Sequence, residues 1–226
     1  MSENLPSNGR AAASCMIAAM FVVGCIDNFI VFIAETVSIW QFQALRAAIA
    51  LPLILGLSAF GAGSILPKRF WAVLLRSLFL TVSMLFYFGS LAFMPMAQAL
   101  AGLFTSPIFV LLITALALGE KIGPIRMIAV SLGFLGILLV LNKGLIDLNI
   151  ISFLPVLGGV FYALAAVATR QLCEGESTLS LLTMLLVLQF LFGSVALIYL
   201  GMAGADVAPG ADGFLTRPWT WSLAAA

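Results

Sequence analysis

Two charges stand inside otherwise apolar stretches of this chain, Asp27 in the first and Arg46 in the second. Each lies about nine or ten residues from the middle of the connector that joins those stretches, so a hairpin of two helices sets them at similar depth. An isolated charge at the centre of a bilayer costs about 2.5–3.5 kcal/mol on insertion scales. Pairing lowers that cost, so both side chains should point inward. An acid beside a base in lipid is the chemistry of a substrate or proton site. It is also the chemistry of an ion pair that fixes helix packing, and the spacing alone does not choose between the two.

Other polar residues recur at helical spacing in the apolar runs. Asn28 adjoins Asp27, and Gln43 precedes Arg46 by three residues. Ser83, Tyr87 and Ser90 share one face, as do Gln98 with Thr105 and Tyr162 with Thr169. The candidate substrate-binding set is therefore Asp27, Asn28, Gln43, Arg46, Tyr87, Thr105 and Tyr162, lining a polar cavity near the midplane. Taken singly, each reads first as a helix–helix hydrogen bond, worth about 0.6 kcal/mol on average. Gly102/Ser106 and Gly159/Ala163 are small residues at four-residue spacing and read as close-packing positions. Pro107 falls near the middle of an uncharged run, where it frees the carbonyl of Leu103. Such a break is tolerated in lipid only where neighbours or water satisfy the freed group, so this run should face other helices or a wet cavity. Glu120, after Gly119 and before Lys121, reads either as an interfacial cap or as a lock at a cytoplasmic gate.

The motifs of soluble enzymes are missing. No P-loop, dinucleotide fingerprint, HExxH or nucleophile–base–acid set occurs, so neither catalysis nor ATP-driven transport is expected of the chain. Histidine is absent, and the three cysteines (Cys15, Cys25, Cys173) have no metal-ligand spacing. No cofactor, metal or disulfide framework is expected. A net charge of +1 suggests no nucleic-acid partner.

The elements that must position these residues follow from composition. The chain of 226 residues is 63% hydrophobic and 8% charged, with a mean hydropathy of +1.21. Soluble domains are about 25% charged, so this is a multi-pass integral membrane protein with the lipid bilayer as its surroundings. Seven apolar runs cover 13–34, 38–59, 70–92, 97–118, 124–142, 151–172 and 179–202, each near the length a spanning helix needs. The small-residue run Ala11-Ala12-Ala13 precedes the first run, whereas a signal-peptide cleavage site follows one, so the first run stays as a span. Short connectors should make successive helices antiparallel neighbours. With the N-terminus inside, the inner connectors hold Arg10, Lys68, Arg69, Arg76, Lys121, Arg126 and Arg170, and the outer ones Lys143 and Arg217. That bias makes the N-terminus cytoplasmic.

Five runs, 13–142, end at Asn142-Lys143-Gly144, and a new run starts at Ile151. Five is odd, so a second copy would enter the membrane inverted, as in many carriers. Runs six and seven resemble runs one and two in outline, which makes 151–226 a partial second repeat. Near the end, Arg217-Pro218-Trp219-Thr220-Trp221 looks like the opening of an eighth span, and the chain reads as a fragment. The expected fold class is an all-α polytopic membrane helix bundle of inverted five-helix repeats, the second incomplete.

The order of motifs carries a resemblance. Tyr87-Phe88-Gly89-Ser90-Leu91, Ala97-Gln98-Ala99-Leu100-Ala101, Ser106-Pro107-Ile108-Phe109, Leu118-Gly119-Glu120-Lys121 and Gly133-Phe134-Leu135-Gly136-Ile137 follow one another. Asn28-Phe29 and Arg46 lie upstream. This resembles the EamA-type drug/metabolite transporters over roughly 14–142, and more loosely over 151–202. The resemblance implies ten helices in two inverted repeats, both termini cytoplasmic, and export or exchange of a small metabolite without ATP. Two departures stand out: the last three helices are lacking, and Asp27 sits where small residues are more usual. The expected function is secondary transport of a small polar or amphipathic metabolite across the inner (plasma) membrane, by export or proton-linked exchange. The expected partners are that substrate and the bilayer, with a homodimer as an option. The alternative is a truncated, non-transporting subunit that needs a partner to complete the bundle. A membrane enzyme of lipid or sugar metabolism would need an interfacial cluster of acids or histidines, which the sequence does not offer.

Overall fold

A computed structural model describes residues 14–19, 21–22, 25, 37–61, 63–91, 93–119, 123–141 and 153–202. Residues 14–19 are helical, and among the described residues seven further helices follow. These are α1 (Ile39–Ala59), α2 (Phe70–Ser90), α3 (Met96–Leu103), α4 (Ser106–Leu118), α5 (Pro124–Leu141), α6 (Leu154–Leu172) and α7 (Thr178–Met202). No strand occurs among the described residues. Among the described residues five segments are long and apolar enough to cross a membrane: α1, α2, α3 with α4 as Met96–Ala117, α6 and α7. The protein is an all-α, polytopic helix bundle.

The ends of the helices follow local chemistry. Ser38 caps α1, its hydroxyl accepting from the Gln41 N–H at 3.2 Å. Gly119 ends α4 at φ +65°, the left-handed conformation that glycine adopts without strain, and its N–H bonds the Thr114 carbonyl. The run 97–118 is a broken helix. The break falls at Phe104–Thr105, and Pro107 sits in the first turn of α4, where its fixed φ suits a helix start. Thr105 Oγ1 donates to the Gly102 carbonyl at 2.6 Å across the break.

The helices lie in the spatial order α1, α7, α2, α6, α3/α4, α5. The expectation that successive helices are neighbours is therefore corrected. Consecutive α1 and α2 barely touch, while α1 packs on α7 and α2 on α6. Connector length does not choose partners in lipid. Close packing of small residues does, because lipid gives no hydrophobic drive between helices. A Cβ on Gly102 would lie 2.6 Å from Pro155 Cγ, and one on Gly159 would lie 3.1 Å from the Gly102 carbonyl. Gly102 and Gly159, one from each small-residue pair read from the sequence, thus meet across α3 and α6. On the other face of the broken helix, Pro107 is exposed and lines an apolar cleft of about 660 Å3 shared with α5.

One end of the bundle is clamped by Glu176. Its carboxylate accepts from the backbone N–H groups of Lys68 at 2.9 Å and Arg69 at 2.7 Å, and Lys68 Nζ donates to the Gly175 carbonyl at 2.8 Å. The α1–α2 connector is thereby tied to the α6–α7 connector. Backbone hydrogen bonds, that from Lys68 foremost, hold the Glu176 carboxyl below its ordinary 4.5. A depressed carboxyl pKa gives stability that is fully present above the ordinary value and lost as pH falls through the folded one. Melting of the purified protein between about pH 6 and about pH 3 should therefore drop more steeply for the wild type than for Glu176→Gln. Parallel curves would show that the clamp adds nothing.

Candidate functional site

Arg46 of α1 and Gln189 of α7 meet in the packing of those two helices, and Gln43 lies one turn before Arg46 on α1. The two helices run in opposite senses: Gly193 meets Trp40 and Ala44, while Leu186 packs with Ala47 and Ile54. A Cβ on Gly193 would lie 2.7 Å from the Trp40 carbonyl, and this closeness brings Gln189, one turn earlier, against α1. Arg46 Nη2 donates to Gln189 Oε1. The Arg46 guanidinium also stands 5.9 Å from the centre of the Phe42 ring, within cation–π range. Gln43, one turn before Arg46 on the same side of α1, is 1% exposed. Neither its amide nitrogen nor its amide oxygen has a hydrogen-bond partner, and Gln189 Nε2 is likewise unsatisfied. Leaving a buried polar group unsatisfied costs about 1–3 kcal/mol. Gln43 of α1 and Gln189 of α7 thus both carry unsatisfied amide atoms inside the bundle.

The other residues singled out in the sequence lie elsewhere. Asp27, Asn28 and Glu120 fall outside the described residues. Tyr87 is buried with Ile39, Phe88 and Ala99. The Thr105 hydroxyl is committed to the break in the α3/α4 helix. Ser83 donates to the Gly158 carbonyl at 2.8 Å, and Ser90 to that of Tyr87 at 2.6 Å. Tyr162 is 41% exposed and faces a separate hollow with Arg76 and Thr169. Of the set, the structure brings together Gln43 and Arg46 and adds Gln189. The signal for Gln189 was present in the sequence, since it is the only amide side chain in the apolar run 179–202.

Arg76, assigned by sequence to a connector, instead lies inside α2. Its Nε donates to Thr169 Oγ1 at 3.1 Å and its Nη1 to the Leu181 carbonyl at 3.3 Å. Among the described residues no group of three or more His, Cys, Asp or Glu could hold a metal. Cys173 is a buried free thiol in the α6–α7 connector. Burial pushes it up, against the opposing charge of Arg76, which keeps it a thiol at neutral pH.

An arginine and unsatisfied amides thus lie within a bundle of apolar helices. The EamA-like transporter family matches residues 10–142, and the chain belongs to that family. A protein named riboflavin transporter from Vibrio cholerae is 30% identical over 156 residues, covering 69% of this chain and 51% of that relative. One of the same name from Rhizobium johnstonii is 31% identical over 118 residues, covering 52% and 39%. A third, from Brucella anthropi, is 27% identical over 152 residues, covering 67% and 52%. The chain thus spans about half or less of the length of these curated relatives. No solved structure matches it.

Proposed function

We propose that this chain carries the substrate site of a secondary transporter for a small metabolite, and that riboflavin is its cargo. The observation that carries this reading is the buried, unpartnered amide of Gln43 beside the Arg46–Gln189 pair. A carboxamide presents a donor and an acceptor side by side. The imide edge of a flavin ring, an N–H flanked by carbonyls, presents the complement. The names of the three relatives point to the same cargo.

The repeat organisation supports an alternating-access mechanism. Under the correspondence of runs six and seven with runs one and two, α1 and α7 are counterparts, and they pack on one another in opposite senses. A site between counterpart helices of inverted repeats, 13–142 and 151–226, can open to one side and then the other as the repeats rock. With Arg76 placed in α2, six of the seven inner Lys and Arg residues remain against two outer ones, which still supports a cytoplasmic N-terminus.

Riboflavin flux into and out of vesicles bearing the protein tests the reading. Runs with and without a pH gradient test export and proton-linked exchange. Saturable flux is expected, reduced at least about tenfold in Arg46→Ala, because a hydrogen bond to a charged group is worth about 1.5–3 kcal/mol. No riboflavin movement in either direction, or full flux in Arg46→Ala, would sink it.

A further inference from the structure

We propose that Arg76, Thr169 and Tyr162 form a second ligand site, separate from the α1–α7 cluster, that takes a phosphate group at the basic end of the bundle. The hollow holds about 270 Å3 and is lined by Arg76 and Leu80 of α2 and by Tyr162, Ala165, Ala166 and Thr169 of α6.

Three observations carry it. The first is position. Arg76 is the seventh residue of α2, about 9 Å along the helix from its start. The α2 start lies beside the α6–α7 connector, where Lys68, Arg69 and Arg170 gather. A guanidinium at that depth lies within reach of the phosphate layer of a bilayer. The second is incomplete pairing. Nε and Nη1 are held by Thr169 Oγ1 and the Leu181 carbonyl, both neutral, and no carboxylate pairs with Arg76 among the described residues. Nη2 is left without a bond there, on a cation half-buried in the membrane. A buried charge costs several kcal/mol unless an opposite charge meets it. The third is access. Tyr162 is 41% exposed and turns its phenol to the same hollow, offering a hydroxyl donor beside the guanidinium. A fixed guanidinium fork with a phenol at its side is suited to a tetrahedral oxyanion.

Two sources share that chemistry: the headgroup of an anionic lipid and a soluble phosphate ester or inorganic phosphate. The experiment separates them. The protein is placed in nanodiscs of mixed phosphatidylglycerol and phosphatidylcholine, and the lipids retained on release are counted by native mass spectrometry. In a parallel arm, thermal shift is read in neutral detergent with inorganic phosphate or glycerol phosphate added. The variants are Arg76→Gln, whose amide nitrogen takes the place of Nε and can still bond Thr169, and Ala166→Phe, which fills the hollow and leaves Arg76 in place.

Retention of phosphatidylglycerol over phosphatidylcholine by at least about fivefold is expected, the factor that one cation supplies near an anionic bilayer surface. That preference should vanish in both variants. A phosphate-dependent thermal shift that both variants lose would support the same site with a soluble occupant. If Arg76→Gln fails to fold, Ala166→Phe alone decides. A folded Ala166→Phe that keeps the wild-type lipid preference and the wild-type phosphate response overturns the proposal. So does a wild type with neither.

Discussion

Replacement of Gln43 by leucine should leave the protein as stable as before, or more stable, while reducing riboflavin flux about tenfold. The two effects part because Gln43 is 1% exposed and both polar atoms of its amide are unsatisfied. Leucine has a similar volume and no polar atoms, so the substitution removes a burden of about 1–3 kcal/mol per orphaned group. A glutamine that served only to join helices would behave in the opposite way, since its loss would cost stability and leave chemistry untouched. The expected loss of flux corresponds to one or two hydrogen bonds to substrate at about 0.5–1.5 kcal/mol each. Melting temperature and flux measured on the same preparation read both quantities. A fall in stability together with unaltered flux would return Gln43 to a packing role.

The largest structural effect should come from Gly193→Leu. A Cβ there already falls 2.7 Å from the Trp40 carbonyl and 3.1 Å from the Ala44 nitrogen. Both are backbone atoms, so no side chain can swing aside, and α1 and α7 must part. Overpacking in a close-packed interior costs about 1–3 kcal/mol and occasionally more. Parting the helices also draws Gln189 from Arg46 and breaks the hydrogen bond between them. Gly201→Ala on the same helix is the control, since nothing lies within 4 Å of its added Cβ. It should be neutral or slightly stabilising, because alanine favours helix over glycine by about 0.5–1 kcal/mol. Folded yield and melting temperature in detergent distinguish them. Equal behaviour of the two variants would contradict the packing described for α1 and α7.

Helix positions were legible in the sequence because lipid leaves few options for an apolar run. The runs at 38–59 and 70–92 became Ile39–Ala59 and Phe70–Ser90, and 179–202 became Thr178–Met202. Glycine at 119 ended a helix as its backbone freedom suggests. The break near Pro107 was also foreseeable, but its place was not. Proline is best tolerated in the first turn, so the helix stops at Leu103 and restarts at Ser106 rather than bending at the ring.

Partner choice was not legible. Gly102 and Gly159 announce close approach in the sequence, yet nothing in their spacing says which glycine meets which helix, and Gly193 carried no such signal. The interleaved order, with α7 between α1 and α2, depends on fits that only coordinates display. For the same reason the polar residues sorted differently from the expected single cavity. Thr105, Ser83 and Ser90 turned to nearby carbonyls, Tyr162 joined Arg76, and Gln189 came to Arg46 from 143 residues away. A hydroxyl on a helix can bond its own backbone and a carboxamide is harder to satisfy that way, which is why the unsatisfied atoms left in the bundle include the amides of Gln43 and Gln189.

Riboflavin is fluorescent, so its binding to purified protein can be followed directly by quenching, apart from any question of direction or coupling. Titration of the wild type and of Gln43→Leu, both confirmed as folded, should give saturable binding whose Kd rises about tenfold in the variant, the equivalent of about 1.4 kcal/mol. Indistinguishable Kd values, or no saturable binding by the wild type, would contradict the assignment of the Gln43–Arg46–Gln189 cluster as the place where cargo is held.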